Sequence, residues 1–177
     1  MNTNLMNEDT IRYPVGRCVL ILESDPAKRV SWIADIADLP AHLRSAVAGL
    51  SNEQLDQRYR AGGWTLRQVV HHLADEHLNA FAYFKMALTE DDPVIKQYDE
   101  PAWAATPDAR SAPVDLSLDL LKALHARWVL LLTSLDNDQF LRTYTHRRGR
   151  LTLDHAIQLY SWHCRHHTAH ITNFRKP

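Results

Sequence analysis

Thr65 and Gln68 have the spacing of a capping box, and Trp64 and Val69 flank them at the spacing of a hydrophobic staple. A chain that carries this signal is committed to an α-helix, because the two side chains satisfy backbone donors that a helix start otherwise leaves bare. No glycine or proline follows until Pro93, and Asp92 before it is pushed out of the helical region. The spacing therefore predicts a helix from Thr65 to about Glu90.

Three further segments read the same way. Ser24-Asp25-Pro26 opens a helix with a capping side chain and a first-turn proline, and Trp32, Ile33, Ile36, Leu39, Leu43, Val47 and Leu50 recur at helical spacing behind it. Pro40 interrupts that run, so the helix is expected to kink or break there. Ser51 and Gln54 offer another capping box for a short helical piece that ends before Gly62-Gly63. Leu120, Leu121, Leu124, Trp128, Leu131 and Leu132 give an apolar face to a helix over 116–135. Thr152 caps a last helix reaching about Phe174. Residues 91–115, with Pro93, Pro101, Pro107 and Pro113, read as a long connecting loop, and loops of that length are often functional covers. His146-Arg147-Arg148-Gly149-Arg150 reads as solvated surface around a turn. No strand pattern stands out. The expected architecture is all-α: a four-helix bundle with long crossover connections, one domain over 1–177, and residues 1–23 as an N-terminal arm.

Composition excludes several partners. Twenty basic residues against twenty-one acidic ones give a net charge of -1, too balanced to displace counterions from a nucleic acid. The apolar runs CVLIL and WVLLL are far below spanning length, and the first residues lack a basic segment followed by an apolar one. Neither nucleic acid nor membrane is expected as a partner, and the expected location is cytoplasmic. Cys18 and Cys164, the two cysteines, are expected as free thiols.

The histidines point to chemistry. Four of the eleven fall in the eight positions 163–170, where composition alone would place about half of one. At about 100° per residue, His163 and His167 lie one above the other near the middle of the inward stripe of the last helix. His166 and His170 form a second four-apart pair towards one edge, and Cys164 points away. On the Thr65 helix, His72 falls on the apolar face of Val69, Leu73, Ala80, Phe84 and Ala87, and His71 falls on the opposite, outward side. Imidazoles buried together repel when charged and need partners when neutral, and a divalent cation resolves that conflict. Three imidazoles leave a fourth coordination position open, the arrangement of catalytic zinc sites. Zinc, nickel, copper and iron all accept imidazole, so ligand type does not choose among them. Glu76, four residues after His72 on the inward face, suits a general base or a partner that orients an imidazole, and equally a structural pairing with arginine. The chain lacks H-E-x-x-H, G-x-S-x-G and a glycine-rich phosphate loop.

The stretches GGWTLRQVVHHLADEHLNAFAYFKMALTEDDPVIKQYDEPAW, LLKALHARWVLLLTSL and LYSWHCRHHTAHIT resemble the YfiT branch of the DinB-like metalloenzymes. That group is associated with metal-dependent hydrolysis and with bacillithiol S-transfer. The similarity runs from Arg12-Tyr13-Pro14 nearly to the C-terminus. It implies a four-helix bundle, often a homodimer, with zinc or nickel held by the second histidine of the HH pair and by two histidines four apart in the last helix. Matched to this chain, these are His72, His163 and His167. It also implies activation of a low-molecular-weight thiol at the metal for transfer to an electrophilic small molecule. It assigns no role to Glu76, His166 or His170. Residues 98–103, YDEPAW, resemble the family's loop between the second and third helices, expected either to cover the open metal face or to be anchored by Tyr98 and Trp103. The expected function is thus metal-dependent thiol S-transfer. The alternatives are a metal-dependent hydrolase acting on an amide or ester, and a non-catalytic metal-binding stress-response protein.

Overall fold

The computed structural model describes residues 3–23, 25–147 and 149–175. In chain order they form α1 (Thr3–Arg12), α2 (Pro26–Val47), α3 (Asn52–Leu55), α4 (Leu66–Thr89), α5 (Glu100–Ala104), α6 (Pro107–Ser111), α7 (Val114–Ser134), α8 (Asn137–Phe140), β1 (Thr143–His146), β2 (Gly149–Thr152) and α9 (Leu153–Phe174). The long helices α2, α4, α7 and α9 make the four-helix bundle, with α2 packed on α9 and α7, and α4 packed on the same two. Ile36, Leu39 and Leu43 of α2 meet Leu73 and Phe84 of α4, Leu121 and Trp128 of α7, and Tyr160 of α9 in a core closed to water. Among the described residues, no helix is long and apolar enough to cross a membrane.

The caps read from the sequence form. Thr65 accepts from the Gln68 amide while the Gln68 side chain accepts from the Thr65 amide, and Ser51 and Gln54 do the same for α3. Asp25 caps α2 by accepting from the Lys28 amide, with Pro26 at the first helical position. Ser24 lies outside the described residues. Helix α2 is not broken at Pro40, since one helix runs from Pro26 to Val47. The ring nitrogen of Pro40 has no hydrogen, so the Ile36 carbonyl four residues earlier loses the donor that an α-helix would supply.

Four expectations are corrected or filled in. The connection over 91–115 contains α5 and α6, each opened by a proline near its first turn, and α7 begins at Val114 rather than about Leu116. The connection is also stitched down, because the Ile95 amide donates to the Thr145 carbonyl at 2.7 Å and the Thr145 amide to the Pro93 carbonyl at 2.9 Å. Within the expected arm, residues 3–12 form α1 and the segment after it runs along α9, where the Ile21 amide donates to the Gln158 side chain at 2.8 Å and Trp162 Nε1 to the Gly16 carbonyl at 2.9 Å. Strands exist: β1 and β2 pair antiparallel from Thr143–Thr152 to His146–Gly149, too short to announce themselves as alternation, and Tyr144 on β1 is fully buried. The fourth correction follows from that hairpin. Arg147 and Arg150 are exposed as expected of solvated surface, but His146 beside them is buried; Arg148 lies outside the described residues.

Candidate metal centre

Helix α4 carries His72 on its bundle face and α9 carries His163 and His167 one turn apart, so the α4–α9 seam brings the three rings together. His72 Nε2 lies 3.3 Å from His163 Nε2. The ring centroids are 4.9 Å apart for His72 and His167 and 4.4 Å apart for His163 and His167, and one nitrogen from each ring lies within 4.8 Å of the others. Tetrahedral ligands at zinc–nitrogen distances stand about 3.3 Å from one another, so the His72–His163 separation fits a shared ion. Trp64 covers His72 with its ring centroid 4.6 Å away, and the Tyr98 hydroxyl lies 3.4 Å from His72 Nδ1. Tyr98 and Trp103 also pack on each other at 4.4 Å, so the 98–103 segment both anchors itself and borders the site.

Burial keeps the His72 and His167 rings neutral. It lowers the pKa of His72 to about 3, and it holds His167 well below the usual imidazole range, with the charges of His163 and the other neighbours adding to the effect. Neutral imidazoles offer lone pairs rather than competing protons, which is the state metal binding requires.

Glu76 lies one helical turn beyond His72 and lines a small cavity with His163, Tyr160, Tyr83, Gln97, Glu100 and His146. The Tyr160 hydroxyl donates to Glu76 Oε1 at 3.3 Å. Burial, and after it the Glu76 charge, raises the pKa of the Tyr160 and Tyr98 hydroxyls, so both keep their protons.

His71 departs from its expected outward position. It is buried, with Nε2 3.1 Å from the Ala112 carbonyl and Nδ1 2.7 Å from the Ser117 hydroxyl. The carbonyl can only accept, so His71 donates through Nε2 and accepts from Ser117 at Nδ1. The helical wheel assigned that side to solvent, but α6 and the start of α7 cover it. Cys164 faces away from the site as expected; its thiol is buried, and burial raises its pKa well above the ordinary value.

The sequence reading missed His77 and His125. Both rings are buried, His77 on α4 and His125 on α7. His77 Nε2 lies 3.0 Å from His163 Nδ1, His77 Nδ1 lies 2.9 Å from His125 Nε2, and His125 Nδ1 lies 2.5 Å from the Ile36 carbonyl. Their signal was present: each sits within an apolar stripe, His77 between Leu73 and Ala80 and His125 between Leu121 and Trp128. A polar ring at such a position needs a partner. His166, His167 and His170 also form a group that could hold an ion. His170 already uses both nitrogens, Nδ1 3.3 Å from His167 Nδ1 and Nε2 3.2 Å from the Arg12 carbonyl, and His166 stacks on Trp162 at 4.2 Å. That group therefore reads as support for His167 rather than as a second centre.

The chain belongs to a known family: the model of the DinB superfamily matches residues 36–171. A protein of Bacillus cereus (strain 03BB102) named "Putative metal-dependent hydrolase" is 48% identical over 167 residues, covering 94% of this chain and 96% of the relative. A protein of Bacillus thuringiensis subsp. konkukian (strain 97-27) with that name shows the same identity and coverage. Among solved structures, YfiT from Bacillus subtilis, described as "a probable metal-dependent hydrolase with an unusual four-helix bundle topology", superposes with a TM-score of 0.91. It is 43% identical, and the match covers 93% of this chain and 95% of that one.

Proposed function

We propose that the protein is a metal-dependent enzyme in which His72, His163 and His167 hold one divalent ion, zinc or nickel, and Glu76 serves the reaction beside it. The observation that carries this reading is the convergence of three imidazoles on one point, with two ring nitrogens 3.3 Å apart. A divalent ion held by three neutral ligands lowers the pKa of a thiol or water that joins it and so supplies a nucleophile near neutral pH. The leading reaction is transfer of a low-molecular-weight thiol to an electrophilic small molecule. Glu76, across the cavity from His163, takes up the nucleophile's proton, and the Tyr160 hydroxyl holds the carboxylate in place. Trp64 and Tyr98 flank His72 and keep bulk water from that side.

Hydrolysis of an amide or ester is the second reading, favoured by the names of the relatives. One experiment separates the two. Purified protein is assayed for metal content and for consumption of a chloronitrobenzene or an alkyl halide with and without added cysteine-derived thiols, and for cleavage of aryl esters without thiol. Thiol-dependent consumption supports transfer, and ester cleavage indifferent to thiol supports hydrolysis. Equal rates for wild type and His163→Ala in both assays reject the metal-dependent reading.

A further inference from the structure

We infer that Pro40 is the root of a hydrogen-bond relay, through the Ile36 carbonyl, His125 and His77, that sets the tautomer of His163 and leaves its Nε2 lone pair facing the metal site. The inference rests on the reading of His163 as a ligand and names the residues that prepare it.

The direction of the relay follows from its end. A backbone carbonyl only accepts, so His125 donates to Ile36 through Nδ1–H over 2.5 Å. A neutral His125 then presents Nε2 as an acceptor, and His77 fills it with Nδ1–H over 2.9 Å. His77 Nε2 is left to accept, and it accepts Nδ1–H of His163 over 3.0 Å. The proton of His163 is thereby placed on Nδ1, and Nε2, which faces His72 Nε2, carries the lone pair. Each step requires neutral rings, and both relay histidines are fully or nearly fully buried.

The relay begins at Pro40 because an ordinary residue there would place its own N–H on the Ile36 carbonyl. With proline the carbonyl turns to His125, on the neighbouring helix. The second α9 histidine is held by the same logic. Arg12 ends α1, and its carbonyl accepts Nε2–H of His170 over 3.2 Å. His170 Nδ1 then accepts Nδ1–H of His167 over 3.3 Å, leaving His167 Nε2 bare. Both arrays thus end on a helix carbonyl without its usual helical donor, one at a proline and one at a helix end. His77, His125 and His170 are positioning residues, since each acts on the site through another ring.

The test reads tautomers directly. In the full chain, stripped of metal by chelation and labelled with heavy nitrogen in its histidines, long-range proton–nitrogen spectra should show His163, His77, His125 and His167 protonated at Nδ1 and His170 at Nε2. A spectrum with His163 protonated at Nε2 overturns the relay, and it needs no variant to fold. Zinc affinity, read by chelator competition, should fall about 10–100-fold in His77→Phe. In His77→Gln, whose amide can accept from His163 and donate to His125, most of the affinity should return. Pro40→Ala should show a smaller loss in the same direction, with mixed tautomers at His125. Unchanged affinity in a folded His77→Phe also overturns the relay. His163→Ala separates the two claims: unchanged zinc affinity there removes His163 as a ligand, whereas loss there beside an Nε2-protonated parent spectrum removes the relay alone.

Discussion

His71 and His72 are adjacent in sequence, buried to nearly the same degree, and enclosed by different regions of the molecule. His71 lies where α4 meets α6 and α7, and both its nitrogens are taken, by Ser117 and Ala112. His72 lies in the α4–α9 seam, where Tyr98 approaches one nitrogen and the other faces the Nε2 of another histidine. Burial is common to both, so burial does not distinguish a candidate ligand from a structural residue. The distinction is whether a nitrogen remains that protein groups have not claimed.

Substitution of the pair should break or sharpen that contrast most strongly. His72→Ala should lose bound metal and, with it, activity, by more than the about 10–100-fold typical of a lost supporting hydrogen bond; metal analysis of the purified variant checks this. His71→Ala should keep its metal. If both variants lose metal equally, the contrast fails.

Glu76→Gln probes the His72 side without touching a ligand. Removal of a general base should lower kcat by about 10²–10⁴-fold while zinc content stays that of wild type. A fall in zinc content instead would make Glu76 a support for the site rather than a participant in the reaction.

Acidification acts on the seam histidines together. Burial lowers His72 and His166 to about 3, and His125 and His170 to about 4, in the folded chain. An unfolded histidine titrates near about 6.5, so between about pH 4 and 6.5 the unfolded chain binds more protons than the folded one. The stability contributed is fully present above about pH 6.5 and is lost as pH falls through that window. Urea midpoints of the metal-free protein at neutral pH and near pH 5 should therefore differ, the acidic one being lower. The shift should shrink in His125→Gln.

The smallest effect is expected on the closed side. His71→Leu leaves Ser117 without its partner and should destabilise by about 1–3 kcal/mol, measured by urea unfolding. Ser117→Ala in the same chain should recover part of that loss, because an apolar pair replaces an unmatched hydroxyl. Zinc affinity should not change in either variant.

The helices and the three candidate ligands were legible because their signals are local. Thr65–Gln68 states a helix start within four residues, and His163 and His167 declare a shared face by spacing alone. What escaped depends on chain far away in sequence. His71 was placed outward because nothing in α4 announces that α6 will cover its other side. His77 and His125 acquire meaning only across the α4–α7 seam, and Pro40 reads locally as a defect although its consequence lies in the carbonyl it releases. The hairpin of β1 and β2 has four residues per strand, too few for alternation to rise above chance.

Helix α9 brings two of the three candidate ligands, and its His170 leans on Arg12, 158 positions earlier. During synthesis α9 emerges after α4, so a centre built from His72, His163 and His167 can come together only once α9 has followed α4 and packed against it. Docking of α9 on α1 is then part of assembling that candidate centre, because the Arg12 carbonyl anchors the ring that supports His167.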